Sequence, residues 1–256
     1  MGQVVFRGYY KSIFFEFALQ ERLADAIIIL LEFPTKNEHE ELIKLFYDRG
    51  YNVFVPFYRG SYQSNGVFLS KNPIDDLISF MKNLEKGSVK ELDNMKKMSF
   101  KTNKKLLIGN SFGGAVACGL VARYPVFSHL ILVSPIWDFQ KLNEKGDEIN
   151  LNNLGLLVKR AYKNCYRFEF KDLIKKLNKF PELKPEYYLE HLQKIPVLVF
   201  HDPNDKIVSF RHTKEMMEKI PKINLIEHYF GHGTLETCIR AYWKEFDKFV
   251  KVNYIE

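Results

Sequence analysis

The segment that most constrains this chain is Lys104-Lys105-Leu106-Leu107-Ile108-Gly109-Asn110-Ser111-Phe112-Gly113-Gly114-Ala115-Val116-Ala117. A short apolar run leads into Gly-x-Ser-x-Gly, and small residues in a helical pattern follow at once. That order asks for a strand, a sharp turn and a helix packed close to its neighbours. Gly109 and Gly113 flank Ser111 where a Cβ would collide with the adjoining strand and helix. The turn lifts the Ser111 hydroxyl clear of the backbone, and the Phe112 N–H is aimed where an oxyanion would form.

The segments on either side alternate between strand and helix patterns. Ala26 to Glu32 is a continuous apolar run, suited to a strand covered on both faces. Glu38 to Arg49 has helical spacing and stops at Gly50, and Tyr51 to Pro56 is the next strand. Asn72-Pro73 reads as an N-cap followed by a first-turn proline. Later strands are expected at Lys105 to Gly109, His129 to Ser134, Pro196 to His201 and Asn224 to Phe230. Helices are expected at Phe112 to Tyr124 and Ser209 to Ile220, with one closing helix from Leu235 to Val250. The first thirty residues read as an antiparallel hairpin. The fold class that follows is α/β: a mostly parallel twisted sheet with helices on both faces. One interval, 137–194, is too long for a normal crossover and holds helical patterns (Leu154, Leu157, Val158, Ala161, Tyr162; then Leu173, Ile174, Leu177). It reads as a helical, cap-like insertion before the acid-bearing strand, within a single domain spanning 1–256.

Composition narrows the function classes. With 46% hydrophobic and 15% aromatic residues in 256, the chain is expected to bury a full core. No apolar run approaches the roughly 18 residues of a membrane span, so no membrane partner is expected. The N-terminal residues lack the pattern of a signal peptide. Cys118, Cys165 and Cys238 are odd in number, far apart and without Cys-x-x-Cys spacing, which points to reduced thiols and a cytoplasmic protein. The net charge is +7, but its lysines are scattered and mixed with acids, so we expect a solvated surface and no nucleic-acid partner.

A serine nucleophile needs a base, and the base needs a carboxylate to orient it. After the strand at Pro196 to His201 comes His201-Asp202-Pro203-Asn204-Asp205-Lys206-Ile207-Val208. Asp205, on the loop beyond the strand, is the favoured acid; Asp202 follows the strand immediately and suits a turn cap. The next strand ends in Gly231-His232-Gly233, which frees His232 to project into a cleft as the base. His228, within that strand, reads as packed or surface. His39, His129, His191, His201 and His212 read as structural or solvated, and none has metal-ligand spacing.

The elbow, the acid loop and the histidine loop together resemble those of α/β-hydrolases, over nearly the whole length from Ala26 to Val250. Val55-Pro56-Phe57-Tyr58-Arg59-Gly60-Ser61 is also similar to a turn common in that family, although Pro56 or Phe57 stands where an Asp is usual. The resemblance implies an oxyanion hole whose first N–H follows the strand at Ala26 to Glu32. Phe33 takes that position, with Phe112 as the second donor; a register shifted by one residue would put Pro34 there, with no N–H. Glu32 beside the hole is unusual for the family. It is expected to turn into a salt bridge, the alternative being that it disfavours anionic substrates.

What is implied is a cofactor-independent, metal-independent serine hydrolase acting on a small ester or related acyl compound. The insertion around Leu154 to Phe170 would line its acyl site. Two other readings stay open: a peptidase similar to the prolyl oligopeptidases, and a non-catalytic binding protein. A nucleotide site is disfavoured because Gly109 to Gly114 carries no P-loop lysine and lacks Gly-x-Gly-x-x-Gly spacing. Oligomeric state is not legible.

Overall fold

Eight strands form one sheet in the computed structural model, which describes residues 4–36, 38–143, 151–168 and 173–252. In chain order they are β1 (Phe6–Tyr10), β2 (Ile13–Ala18), β3 (Ala24–Leu30), β4 (Asn52–Pro56), β7 (Thr102–Asn110), β8 (His129–Val133), β9 (Val197–His201) and β10 (Ile223–Glu227). Their spatial order is β1-β2-β4-β3-β7-β8-β9-β10. The β1–β2 hairpin enters antiparallel, and every pair from β4 to β10 is parallel. A separate small hairpin, β5 (Ser88–Lys90) with β6 (Lys97–Ser99), has no counterpart in the expected elements.

Because successive strand side chains point to opposite faces, the continuous apolar runs of the central strands feed two cores. Ile28, Leu30, Leu107, Leu132 and Val199 lie on one face, under α2 (Pro73–Leu84), α3 (Phe112–Arg123) and α7 (Phe210–Lys219). Ile27, Ile29, Ile108, Val133 and Phe200 lie on the other, under α1 (Glu40–Tyr47), α8 (Leu235–Ala241) and α9 (Trp243–Lys251). The α2 start is as expected for its sequence: Asn72 accepts the Ile74 N–H at 3.0 Å, and Pro73 opens the first turn. Among the described residues no helix is long and apolar enough to cross a membrane.

The last helix and the last strand differ from expectation. The closing helix is two helices, because Tyr242 leaves helical geometry (φ −112°, ψ 35°). There its hydroxyl reaches the Glu227 carbonyl at 3.3 Å and its ring meets Phe200 and Phe230. The expected strand at Asn224 to Phe230 ends at Glu227, so His228 lies just beyond it, fully buried.

Within 137–194 the structure describes α4 (Leu151–Ala161), α5 (Leu173–Asn178) and α6 (Leu189–Leu192), joined by short 3-10 turns. Val158 is buried, with Leu154 and Tyr162 partly so, a narrow stripe spaced by four residues. Leu157, expected on the same face, falls to its edge and is 44% exposed. Phe170 and the side chain of Ile174 lie outside the described residues. Residues 165–167 are stitched to the loop after β4 by the Tyr62 N–H to Cys165, the Arg167 N–H to Gly60 and the Phe68 N–H to Arg167. In the turn resembling the family's Arg-Gly motif, Arg59 forks onto Asp76 at 2.6 and 2.7 Å and reaches Ser12 at 2.8 Å, a structural clamp.

Backbone approaches closely at the β7–α3 turn. A Cβ on Gly113 would sit 2.2 Å from the Leu30 carbonyl oxygen, and one on Gly109 would sit 2.5 Å from the Gly113 oxygen. Gly113→Ala should therefore push α3 away from β3 and lower unfolding free energy by about 1–3 kcal/mol, measured by urea titration.

Candidate active site

Three connections leave the carboxyl ends of β7, β9 and β10 on the same edge of the sheet, where ligand sites of open parallel sheets form. Ser111 follows β7 with φ 52° and ψ −112°, a conformation that lifts its side chain off the turn. Its N–H donates to Val133 at 2.9 Å, and its carbonyl accepts from Gly114 at 2.9 Å and Ile136 at 3.1 Å. Asp205 lies four residues past β9, and His232 lies five past β10 between two glycines with φ 78° and 69°. Those positive φ values turn the chain on both sides of the imidazole.

The structure brings these three side chains into line. His232 Nε2 is 2.9 Å from Ser111 Oγ, and His232 Nδ1 is 2.8 Å from Asp205 Oδ2. The other Asp205 oxygen, Oδ1, accepts the Ile207 and Val208 N–H groups at 2.8 and 3.0 Å. Burial by itself would raise the Asp205 pKa. Hydrogen bonds from His201 and His232, the His232 charge and the Val208 N–H outweigh it, and hold the carboxyl well below the usual carboxylate range. Nδ1 faces an ionised acceptor, so it carries the proton and Nε2 is left to accept from the serine.

Asp202 does not join this line. Its Oδ1 caps the turn through the Asn204 N–H at 2.8 Å, and its Oδ2 accepts the Gly231 N–H at 2.7 Å, tethering the histidine loop. His201 is buried behind Asp205. His39, His129, His212 and His228 are also buried, and His191 is exposed.

Phe33 and Phe112 are neighbours, with ring centroids 6.0 Å apart. The loop carrying Phe33 is held by the Tyr58 hydroxyl, which donates to the Leu31 carbonyl at 3.0 Å. Among the described residues neither the Phe33 nor the Phe112 N–H has a protein acceptor. Phe33 also stacks on Phe68 at 4.6 Å and meets Tyr166 edge-on at 4.8 Å, forming an aromatic wall shared with the insertion.

Glu32 is not in the expected salt bridge: among the described residues no cation pairs with it. Instead Oε2 accepts the Asn110 side-chain amide at 2.8 Å, beneath Gly233, where a Cβ would come within 2.6 Å of the same oxygen. Burial pushes the Glu32 pKa up to about 7, against the pull of His232, the Asn110 amide and Lys36. Nothing in the local sequence marks Asn110, the residue between Gly109 and Ser111, for this contact. An acidic residue ending an apolar strand was the only local hint of such a partner.

No protein-family model matches this chain, and no curated protein matches it. Solved structures do. An esterase from Pyrococcus furiosus superposes with a TM-score of 0.67 at 16% identity, covering 96% of this chain and 89% of its own. An α/β superfamily hydrolase from Oenococcus oeni gives 0.66 at 14%, covering 95% and 97%. A carboxylesterase structure from the thaumarchaeon Nitrososphaera gargenis gives 0.64 at 16%, covering 96% and 97%. The chain has the α/β-hydrolase fold. Identities this low carry the fold and leave the chemistry to the site.

Within that α/β-hydrolase frame, Glu32 makes a distinct prediction. A carboxyl whose pKa is about 7 folded and near 4.5 unfolded favours the folded state most below the unfolded pKa. That advantage is lost as pH rises through 7. Glu32→Gln keeps an acceptor for Asn110 and removes the ionisation. It should raise stability at pH 8 by up to about 3 kcal/mol and change it little at pH 5, by denaturant unfolding at both pH values.

Proposed function

We propose that this chain is a serine hydrolase cleaving a small ester or related acyl compound through an acyl-enzyme. The observation that carries this reading is the hydrogen-bonded line from Asp205 through His232 to Ser111, with 2.8 and 2.9 Å steps. In it, His232 Nε2 takes the hydroxyl proton as Ser111 Oγ attacks the carbonyl carbon. Asp205 stays ionised, keeps the ring in the Nδ1–H tautomer and stabilises the imidazolium. The Phe33 and Phe112 N–H groups serve as donors to the tetrahedral oxyanion. Collapse of that intermediate expels the alcohol, which takes the proton from His232. Water, deprotonated by His232, then attacks the acyl-serine and frees the acid.

The aromatic wall of Phe33, Phe68 and Tyr166 suits an apolar acyl group, and Glu32 beside it disfavours an anionic one. The names of the structural neighbours, an esterase and a carboxylesterase among them, agree with ester cleavage. The chemistry requires neither metal nor organic cofactor. The three free cysteines suit a reducing, cytoplasmic setting.

A fluorophosphonate probe should label the wild-type protein and leave folded Ser111→Ala unlabelled. Asp205→Asn should lower kcat/KM on p-nitrophenyl esters by about 10⁴-fold, as expected when the base loses its tautomer. Absence of Ser111-dependent labelling in folded protein would overturn the reading and favour a binding module. Faster turnover of aminoacyl anilides than of esters would favour a peptidase.

A further inference from the structure

Asp205 has a second histidine on its far side. His201, the last residue of β9, is fully buried; its Nε2 is 3.3 Å from Asp205 Oδ2 and 3.0 Å from the Val208 carbonyl. Its Nδ1 is 2.7 Å from Thr213 Oγ1, on α7. Thr213 Oγ1 is in turn 2.8 Å from Trp137 Nε1, and both residues are buried.

The donor inventory gives this chain of contacts a direction. An indole N–H only donates, so the Thr213 oxygen accepts it and is left with one hydroxyl proton to give. That proton points at His201 Nδ1. His201 Nε2 faces a carboxylate and a carbonyl, which only accept, so Nε2 carries the proton. The result runs Trp137 to Thr213 to His201 to Asp205. It ends on Oδ2, the same oxygen that holds His232 Nδ1. Any buried histidine needs partners, and packing alone would satisfy that need. Packing alone would not aim one ring at the oxygen that orients the other.

We propose that His201 and Thr213 are positioning residues, which fix Asp205 Oδ2 toward His232 and share its charge. This rests on the serine-hydrolase reading above. A donor on Oδ2 draws off part of the charge that His232 feels. Without it the carboxylate is more basic and holds the His232 proton more firmly, so the acid limb of kcat/KM moves to higher pH. The other titratable groups around the pair are Asp202 on the same loop, His228 beyond β10, and Glu32, which faces His232 from the loop after β3. All three are left in place by the substitutions below.

The test compares His201→Leu, His201→Gln, Thr213→Val and Thr213→Ser in the full chain. A p-nitrophenyl ester is the substrate, and fluorophosphonate labelling counts active sites. His201→Leu and Thr213→Val should lose about tenfold in kcat/KM per labelled site, with the acid limb raised by about half a pH unit. Thr213→Ser keeps the hydroxyl, and His201→Gln keeps an N–H near the Nε2 position. Both should stay within about threefold of wild type, a loss of under 1 kcal/mol in transition-state stabilisation. Folded His201→Leu and Thr213→Val with wild-type rates and limb would overturn the proposal, as would Thr213→Ser falling as low as Thr213→Val. If His201→Leu does not fold, the Thr213 pair decides. A wild-type protein without Ser111-dependent labelling sinks the hydrolase reading itself. An active wild type with indifferent variants sinks only the positioning roles.

Discussion

The backbone at Ser111 is the constraint on which the site depends. A non-glycine residue at φ 52° and ψ −112° stands outside the favoured regions, a conformation that typically costs about 1–3 kcal/mol. It persists because the surroundings over-determine it. The parallel pairing of β7 with β8 puts Val133 opposite the turn to receive the Ser111 N–H, and Gly114 and Ile136 both donate to the Ser111 carbonyl. Gly113 lets α3 close onto the Leu30 backbone, so the helix cannot relax the turn by drifting away. Strain held this firmly keeps the hydroxyl aimed along the line to His232 without further ordering.

Two carboxyl groups feel the charge of His232, and their environments drive their pKa values apart. Asp205 receives four donors, two on each oxygen, and remains ionised although its side chain is buried. Glu32 has one donor among the described residues, the Asn110 amide, and burial raises its pKa to about 7. Hydrogen-bond count decides the difference, because a buried charge is tolerated in proportion to the dipoles that replace its water. Acids separated in this way give one imidazole a charged partner and a titratable neighbour.

The parts of the fold that were legible in the sequence are those set by local pattern. Ala26 to Leu30 and Leu106 to Gly109 are unbroken apolar runs and form central strands; Asn72-Pro73 caps a helix because both residues act on their own first turn. What escaped depends on partners distant in sequence. The break at Tyr242 comes from a hydroxyl reaching Glu227 and a ring seated among Phe200 and Phe230, which helical periodicity does not encode. The β5–β6 hairpin is short and charged, with its turn held by Glu91 accepting the Asn94 N–H at 2.9 Å. In the site, Ser111 and His232 were legible because glycines on both sides mark their turns. Glu32 was visible as an oddity, but its partner Asn110 lies 78 residues away. Trp137 and Thr213 carried no signal, since each is unremarkable until the sheet brings β8 and α7 together.

That last contact ties the site to the rest of the molecule. Ile136 donates to the Ser111 carbonyl, and its neighbour Trp137 donates to Thr213. From Thr213 the contacts pass through His201, Asp205 and His232 and return to the Ser111 hydroxyl. Segments following four strands are thereby closed into one ring of backbone and side-chain hydrogen bonds. Each member of such a ring is oriented by two others, so a displacement at one connection is opposed at the rest. The same segment, Ile136-Trp137, opens the interval that carries α4 to α6. Residues 165–167 of that interval are stitched to the loop after β4, and Tyr166 packs on Phe33. The aromatic wall and the hydrogen bonds behind Asp205 thus each take a member from the interval that follows β8.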